Sequence, residues 1–149
     1  MLYPLILIIL LNCVAASNAQ TIKRDYSDKE LEKYVFVSFT IPEHALKELI
    51  KQAKQHEFIP VLRGFKEGSY KKTSVALEQI IKETEYGVII DPEIYKEFDV
   101  KLVPAFVIAE PKTQCLPNTS CKPRHFNKLS GNVTVQFANQ KLVSEKRIL

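Results

Sequence analysis

The chain has 149 residues, 46% of them apolar, with four glycines and eight prolines, a size and make-up that suit one packed domain and exclude a disordered polar chain. Twenty-one Lys and Arg against seventeen Asp and Glu leave a formal net charge of +4, carried wholly from Lys23 onward. That surplus forms no basic stripe, so nucleic-acid binding is not expected and the charge reads as a solvated, slightly basic surface.

Leu2–Leu11 is an apolar run, followed by Ala15, Ala16, Ser17, Asn18 and Ala19. Ser17 and Ala19 are small enough for the two subsites of signal peptidase, so residues 1–19 read as an export signal cut before Gln20. No Lys or Arg precedes the run, and the N-terminal amine alone supplies positive charge. The rival reading is a retained anchor, but Asn12, Ser17, Asn18 and Gln20 interrupt the segment before the roughly 20 apolar residues that a span needs. Asn12 before Cys13 also stands where a lipoprotein signal wants a small residue. Residues 20–33 are charged and lack a clean apolar period, so they form a lead-in, with the domain itself at 34–149.

Tyr34–Phe39 is a nearly continuous β-branched and aromatic run, suited to a strand covered on both faces. Thr40-Ile41-Pro42-Glu43 then matches the Thr-x-x-Glu capping box, with proline in the first turn. The helix that follows turns Ile41, Ala45, Leu46, Leu49, Ile50 and Ala53 to one side and its lysines to the other. Phe58–Phe65 predicts a second strand, ended by Arg63-Gly64. Gly68–Glu85 predicts a second helix with Tyr70, Leu77, Ile80, Ile81 and Thr84 inward and Gly87 as its stop.

Gly87–Ile90 reads as a short strand. Asp91-Pro92 caps a brief helix that buries Ile94, Tyr95 and Phe98. Leu102–Ala109 returns to strand, 111–124 is a polar loop, and Phe126–Ser130 is a last strand. Gly131-Asn132, with Asn132 as cap, leads to a helix with Val133, Phe137, Ala138 and Leu142 inward. Alternating units early and two late strands joined by a loop give an α/β fold, a mixed central sheet flanked by helices.

With the leader removed, Cys115 and Cys121 are the remaining cysteines, and in an oxidising compartment the pair is expected as a disulfide. A ring that short contributes about 2–3 kcal/mol in the loop-entropy account. Two other readings stand beside it: a redox-active pair, and a metal half-site with His125. A closed zinc site needs four ligands, and His44 and His56 lack matching spacing, so no metal and no cofactor are expected.

The stretch Tyr95–Ile108, with Val103-Pro104 inside it, resembles the thioredoxin segment in which a short helix leads to a Val/Ile-Pro bond and then a strand. By that resemblance the domain is thioredoxin-like and the Val103–Pro104 bond is cis. A redox thioredoxin carries Cys-x-x-Cys where the first central strand meets its helix; here that junction reads Ser38-Phe39-Thr40-Ile41-Pro42-Glu43. A helix start that would activate a thiolate has no thiol to act on.

More narrowly, Phe36–Pro42, Pro60–Phe65, Ile90–Phe98, Val103–Val107 and Gly131-Asn132-Val133, in that order, resemble the TrbC-type pilin assembly proteins of F-type conjugative transfer systems. The resemblance implies a periplasmic role in building the transfer pilus, beside a TraW-like partner in a type IV secretion apparatus, with no catalytic residues and no membrane span once the leader is gone.

The interaction surface this suggests comprises Phe39, Thr40, Pro42, Arg63, Val103 and Pro104. Arg63 reads either as a binding cation at the carboxyl end of the sheet or as half of a local salt bridge. Lys112, Lys122, Arg124 and Lys128 around the cysteine loop read as solvated charge or as a docking face for an acidic partner. Asn118 and Asn132 match glycosylation sequons, which are incidental in a bacterial protein. A non-enzymatic assembly factor is thus expected. The alternatives are a thiol–disulfide oxidoreductase or isomerase using Cys115 and Cys121, and an exported binding domain unrelated to conjugation.

Overall fold

The computed structural model describes residues 31–112 and 124–145. The expected leader, Cys13 and the Cys115–Cys121 pair lie outside the described residues. β1 (Glu32–Val37) is followed by α1 (Glu43–Gln55), β2 (Ile59–Leu62), a 3₁₀ turn at Lys66–Gly68 and α2 (Tyr70–Thr84). Then come β3 (Ile89–Ile90), α3 (Pro92–Glu97), β4 (Ala105–Ala109), β5 (Phe126–Ser130) and α4 (Val135–Glu145).

The strands form one sheet in the order β3-β2-β1-β4-β5. β3, β2 and β1 run parallel; β4 is antiparallel to β1, and β5 is antiparallel to β4. Period-2 alternation in β1 sends Val35 and Val37 to one face and Tyr34 and Phe36 to the other, all four buried. On the first face Leu46, Ile50 and Ala53 of α1, Ile80 of α2, and Val135, Ala138 and Leu142 of α4 pack with Val35, Leu62 and Phe106. On the second, Tyr95 and Phe98 cover Phe36, Val61 and Val107. Phe36 is fully enclosed, and burying such a side chain stabilises by about 1.5–3 kcal/mol. The expected mixed sheet with helices on both faces is therefore the observed architecture.

Several local expectations need correction. β1 starts at Glu32, inside the expected lead-in, because Glu32 and Lys33 still pair with Ala109 and Ile108. It ends at Val37, because Ser38 begins a turn: its carbonyl accepts from Ile41 N at 3.1 Å and its hydroxyl from Thr40 N at 3.2 Å. Thr40 donates its own hydroxyl to Ser38 Oγ at 3.1 Å, so the capping box does not form and Pro42 is the uncapped N-terminal flank of α1.

On α2 the buried line is Thr73, Ile80 and Thr84, while Tyr70 is 73% and Ile81 41% exposed. α2 packs on α1 rather than filling a sheet groove, so a narrower face is covered. It ends at Glu85 in the left-handed conformation, φ 51°, two residues before the expected Gly87 stop. On α4, Phe137 is 52% exposed, and Thr134 Oγ1, not Asn132, accepts the Phe137 N–H at 3.2 Å. Arg124 and Lys128 are not free solvated charges: Arg124 is enclosed by carboxylates and rings, and Lys128 Nζ donates to the Phe98 and Asp99 carbonyls at 2.9 and 2.8 Å.

Candidate functional site

The carboxyl ends of β1 and β2 are held by one side chain from α3. Asp91 Oδ1 accepts from Glu93 N and Ile94 N at 2.8 and 3.1 Å, starting that helix as its sequence promised. The helix then presents Tyr95, whose hydroxyl donates to Val37 O at 2.5 Å and Val61 O at 3.2 Å. Burial, the largest influence, pushes the Tyr95 phenol up to about 12, against the charge of Arg63. The hydroxyl is thus a fixed neutral donor that ties the ends of both strands to α3.

Beyond those stops the sequence-expected residues separate into two flanks of the β1–α1 turn. On the β2 side, Phe39, Thr40 and Arg63 line an open depression of about 400 Å³ together with Ser38, Phe65 and Lys66. On the β4 side lies the Val103–Pro104 bond, which is cis. The pairing of Phe36 with Ala105 brings Ser38 level with Val103, and the Pro104 carbonyl accepts from Gly131 N at 3.0 Å. Pro42 sits exposed at the head of α1, outside the depression. The junction Ser38–Glu43 contains no cysteine.

The depression is cationic. Arg63 is exposed and has no carboxylate within 4 Å among the described residues, so the local salt bridge considered for it is not formed there. Lys66 Nζ lies 5.8 Å from the Phe39 ring centroid, a cation–π distance. The carboxylates nearby are already matched: Lys47 holds Glu43 at 2.6 Å, Lys72 holds Glu67, and these hydrogen bonds keep both acids below the ordinary carboxylate value.

A second constellation escaped sequence reasoning. Arg124, with a side chain 7% exposed, pairs with Glu32 and Glu97, donates to Glu110 O at 3.3 Å, and lies 5.9 and 5.0 Å from the ring centroids of Tyr34 and Phe98. Tyr34 donates to Glu32 at 2.6 Å, and burial, with that bond, pushes its phenol up to about 12. The cluster fastens β1, α3 and the lead into β5. No three His, Cys, Asp or Glu side chains gather as a metal site among the described residues, and none of their helices is long and apolar enough to cross a membrane.

No solved structure matches the chain. Over 74 residues it is 34% identical to the periplasmic protein TrbC of Escherichia coli (strain K12), a span that covers 49% of this chain and 35% of that protein. The chain thus matches about a third of the length of that relative. A family described as the type-F conjugative transfer system pilin assembly protein matches residues 35–142, from the first core strand to the last helix and through both flanks of the β1–α1 turn, and the chain belongs to that family.

Proposed function

We propose that this protein is a periplasmic, non-catalytic assembly factor of the conjugative pilus, built on a thioredoxin-like domain that holds a protein partner at the carboxyl end of its sheet. The observation that carries the reading is the β1–α1 junction, where a dithiol would have to stand and Ser38–Glu43 stand instead. The β1–α1–β2 unit followed by antiparallel β4 and β5 supports the thioredoxin-like assignment. The periplasmic relative of E. coli supports the compartment, and an export leader at 1–19 removed before Gln20 is consistent with it. In that compartment Cys115 and Cys121 form a structural disulfide, and residues 34–149 work as one domain. Phe39, Thr40, Pro42, Arg63, Val103 and Pro104 form the contact surface, and a TraW-like protein of the transfer apparatus is the partner.

Two measurements test the reading. Donor cells lacking the chain should lose pili and regain them with the full protein and with the Cys115→Ser/Cys121→Ser variant alike. The purified protein should leave insulin unreduced above the dithiothreitol background. Insulin turnover that disappears in the double variant, together with failure of that variant to restore pili, would establish thiol–disulfide exchange instead.

A further inference from the structure

We propose that the depression between the Ser38–Ile41 turn and the β2–α2 connection docks an extended acidic segment of a partner protein, one in which a carboxylate stands beside an apolar or aromatic side chain. The inference rests on the assembly reading above and specifies the chemistry of what that surface holds.

Three observations converge on it. The first is charge left over. Arg63 and Lys66 face the depression with no carboxylate within 4 Å among the described residues, while Glu67 at its rim is held by Lys72. A guanidinium offers a planar fork that fits a carboxylate with two parallel hydrogen bonds, and Arg63 is exposed and free to do so. The second is exposed aromatic surface. Phe65, which lines the depression, and Tyr70 beside it are 51% and 73% exposed and meet edge to face, centroids 6.0 Å apart. Phe39 also lines the depression, half-buried, with Lys66 over its ring. A soluble domain gains nothing for its own core from two such rings in water, and arginine beside aromatic side chains is the usual make-up of strong interface positions.

The third is size and shape. About 400 Å³ lies within the range of ligand-holding clefts, and its walls come from two connections rather than from the sheet floor. It therefore receives side chains from a passing segment and does not enclose a small molecule. A second copy of this chain is a poor occupant, because a two-fold contact through this patch would set Arg63 and Lys66 against their own equivalents.

The test begins by panning a displayed library of random short peptides on the immobilised full chain. The expected winners carry Asp or Glu adjacent to Phe, Tyr, Leu or Ile. A fluorescein-labelled winner should bind about tenfold or more weakly to Arg63→Glu, several-fold more weakly to Phe65→Ala, and unchanged to the exposed control Lys71→Glu. Affinity should also fall as salt is raised. Unfolding midpoints of all three variants should match the wild type, since each side chain is exposed. Winners without acidic residues, or binding indifferent to Arg63→Glu, would overturn the proposal. So would a sedimentation shift showing that the wild-type surface joins two copies.

In donor cells, loss of pili on deleting the chain but full piliation with Arg63→Glu would overturn this docking site and leave the assembly role standing. No loss on deletion would remove the assembly role itself.

Discussion

Arg124 keeps a full charge although its side chain is 7% exposed. Burial alone would lower its affinity for the proton, but hydrogen bonds with Glu97, Tyr34 and Glu32 outweigh it and the guanidinium is held more firmly protonated than in water. Removing it strands two carboxylates at the foot of β1 and on α3. Arg124→Leu should cost about 2–3 kcal/mol by urea denaturation, less than a fully buried pair would, because Glu32 and Glu97 remain 31% and 32% exposed.

The same pair sets an acid dependence. Burial pushes Glu32 up, but bonds from Tyr34, Lys112 N and Arg124 together hold it below its ordinary value of 4.5. A depressed folded value means the contribution is whole above pH 4.5 and is lost as pH falls through the lower folded value. The gap between wild type and Arg124→Leu should therefore narrow in acid. A constant gap from pH 7 down to the acid transition would contradict this placement of the charge.

The sequence could not announce this cluster. Arg124 meets partners 92 and 27 positions away, whereas Asp91 finds its partners two and three positions on and was legible as a cap. Thr40 shows how local rules compete: the same residue fits a capping box and a serine turn, and the turn with Ser38 wins.

Among the elements, α3 is a helix of six residues that ties together the carboxyl ends of two strands. Tyr95, 5% exposed, joins it to the last carbonyl of β1 and to β2. Tyr95→Phe keeps the ring against Phe36, 4.8 Å away and edge to face, and deletes only the two hydrogen bonds. The expected loss is about 1–3 kcal/mol, since two buried carbonyls lose a donor. A phenol raised from 10 to about 12 contributes stability in full below pH 10 and loses it as pH rises through 12. Unfolding midpoints measured from pH 8 upward should thus fall less steeply in Tyr95→Phe, with part of the remaining slope due to Tyr34 and Tyr86, whose phenols are also raised. Identical slopes would mean that the hydroxyl is not buried against the strand ends as placed.

Element type was readable from periodicity wherever burial was one-sided and complete. α1 turns inward the very line of residues its spacing indicated: Leu46, Ile50 and Ala53. α2 and α4 were misread in phase at Tyr70, Ile81 and Phe137 because the sequence records apolar character, while packing decides which apolar residues find a neighbour. Those left over on α2 and its connection, Tyr70 with Phe65, border the proposed docking site.

At the scale of the molecule, parallel β1 and β2 put the turns that follow them at one end of the sheet and the exits of α1 and α2 at the other, where antiparallel β4 also ends, beside Glu32. The pattern of strands and helices made this mixed sheet legible, and the segment order from Phe36 to Val133 made the family legible. The depression was not, because Phe39, Arg63 and Phe65 come from two connections that only the sheet brings side by side.

If partner binding without chemistry resides at that one end, a charge change there abolishes piliation and one at the other end does not. The measurement is a count of pili on donor cells whose only copy of the chain carries a charge change at one end or the other. Thr40→Glu and Arg63→Glu alter the strand-exit end; Lys82→Glu and Glu85→Lys alter the helix-exit end at exposed positions. With equal amounts of protein in the periplasm, pili should be lost with the first pair of variants and retained with the second. Equal piliation in all four, or loss confined to the helix-exit pair, would contradict the account.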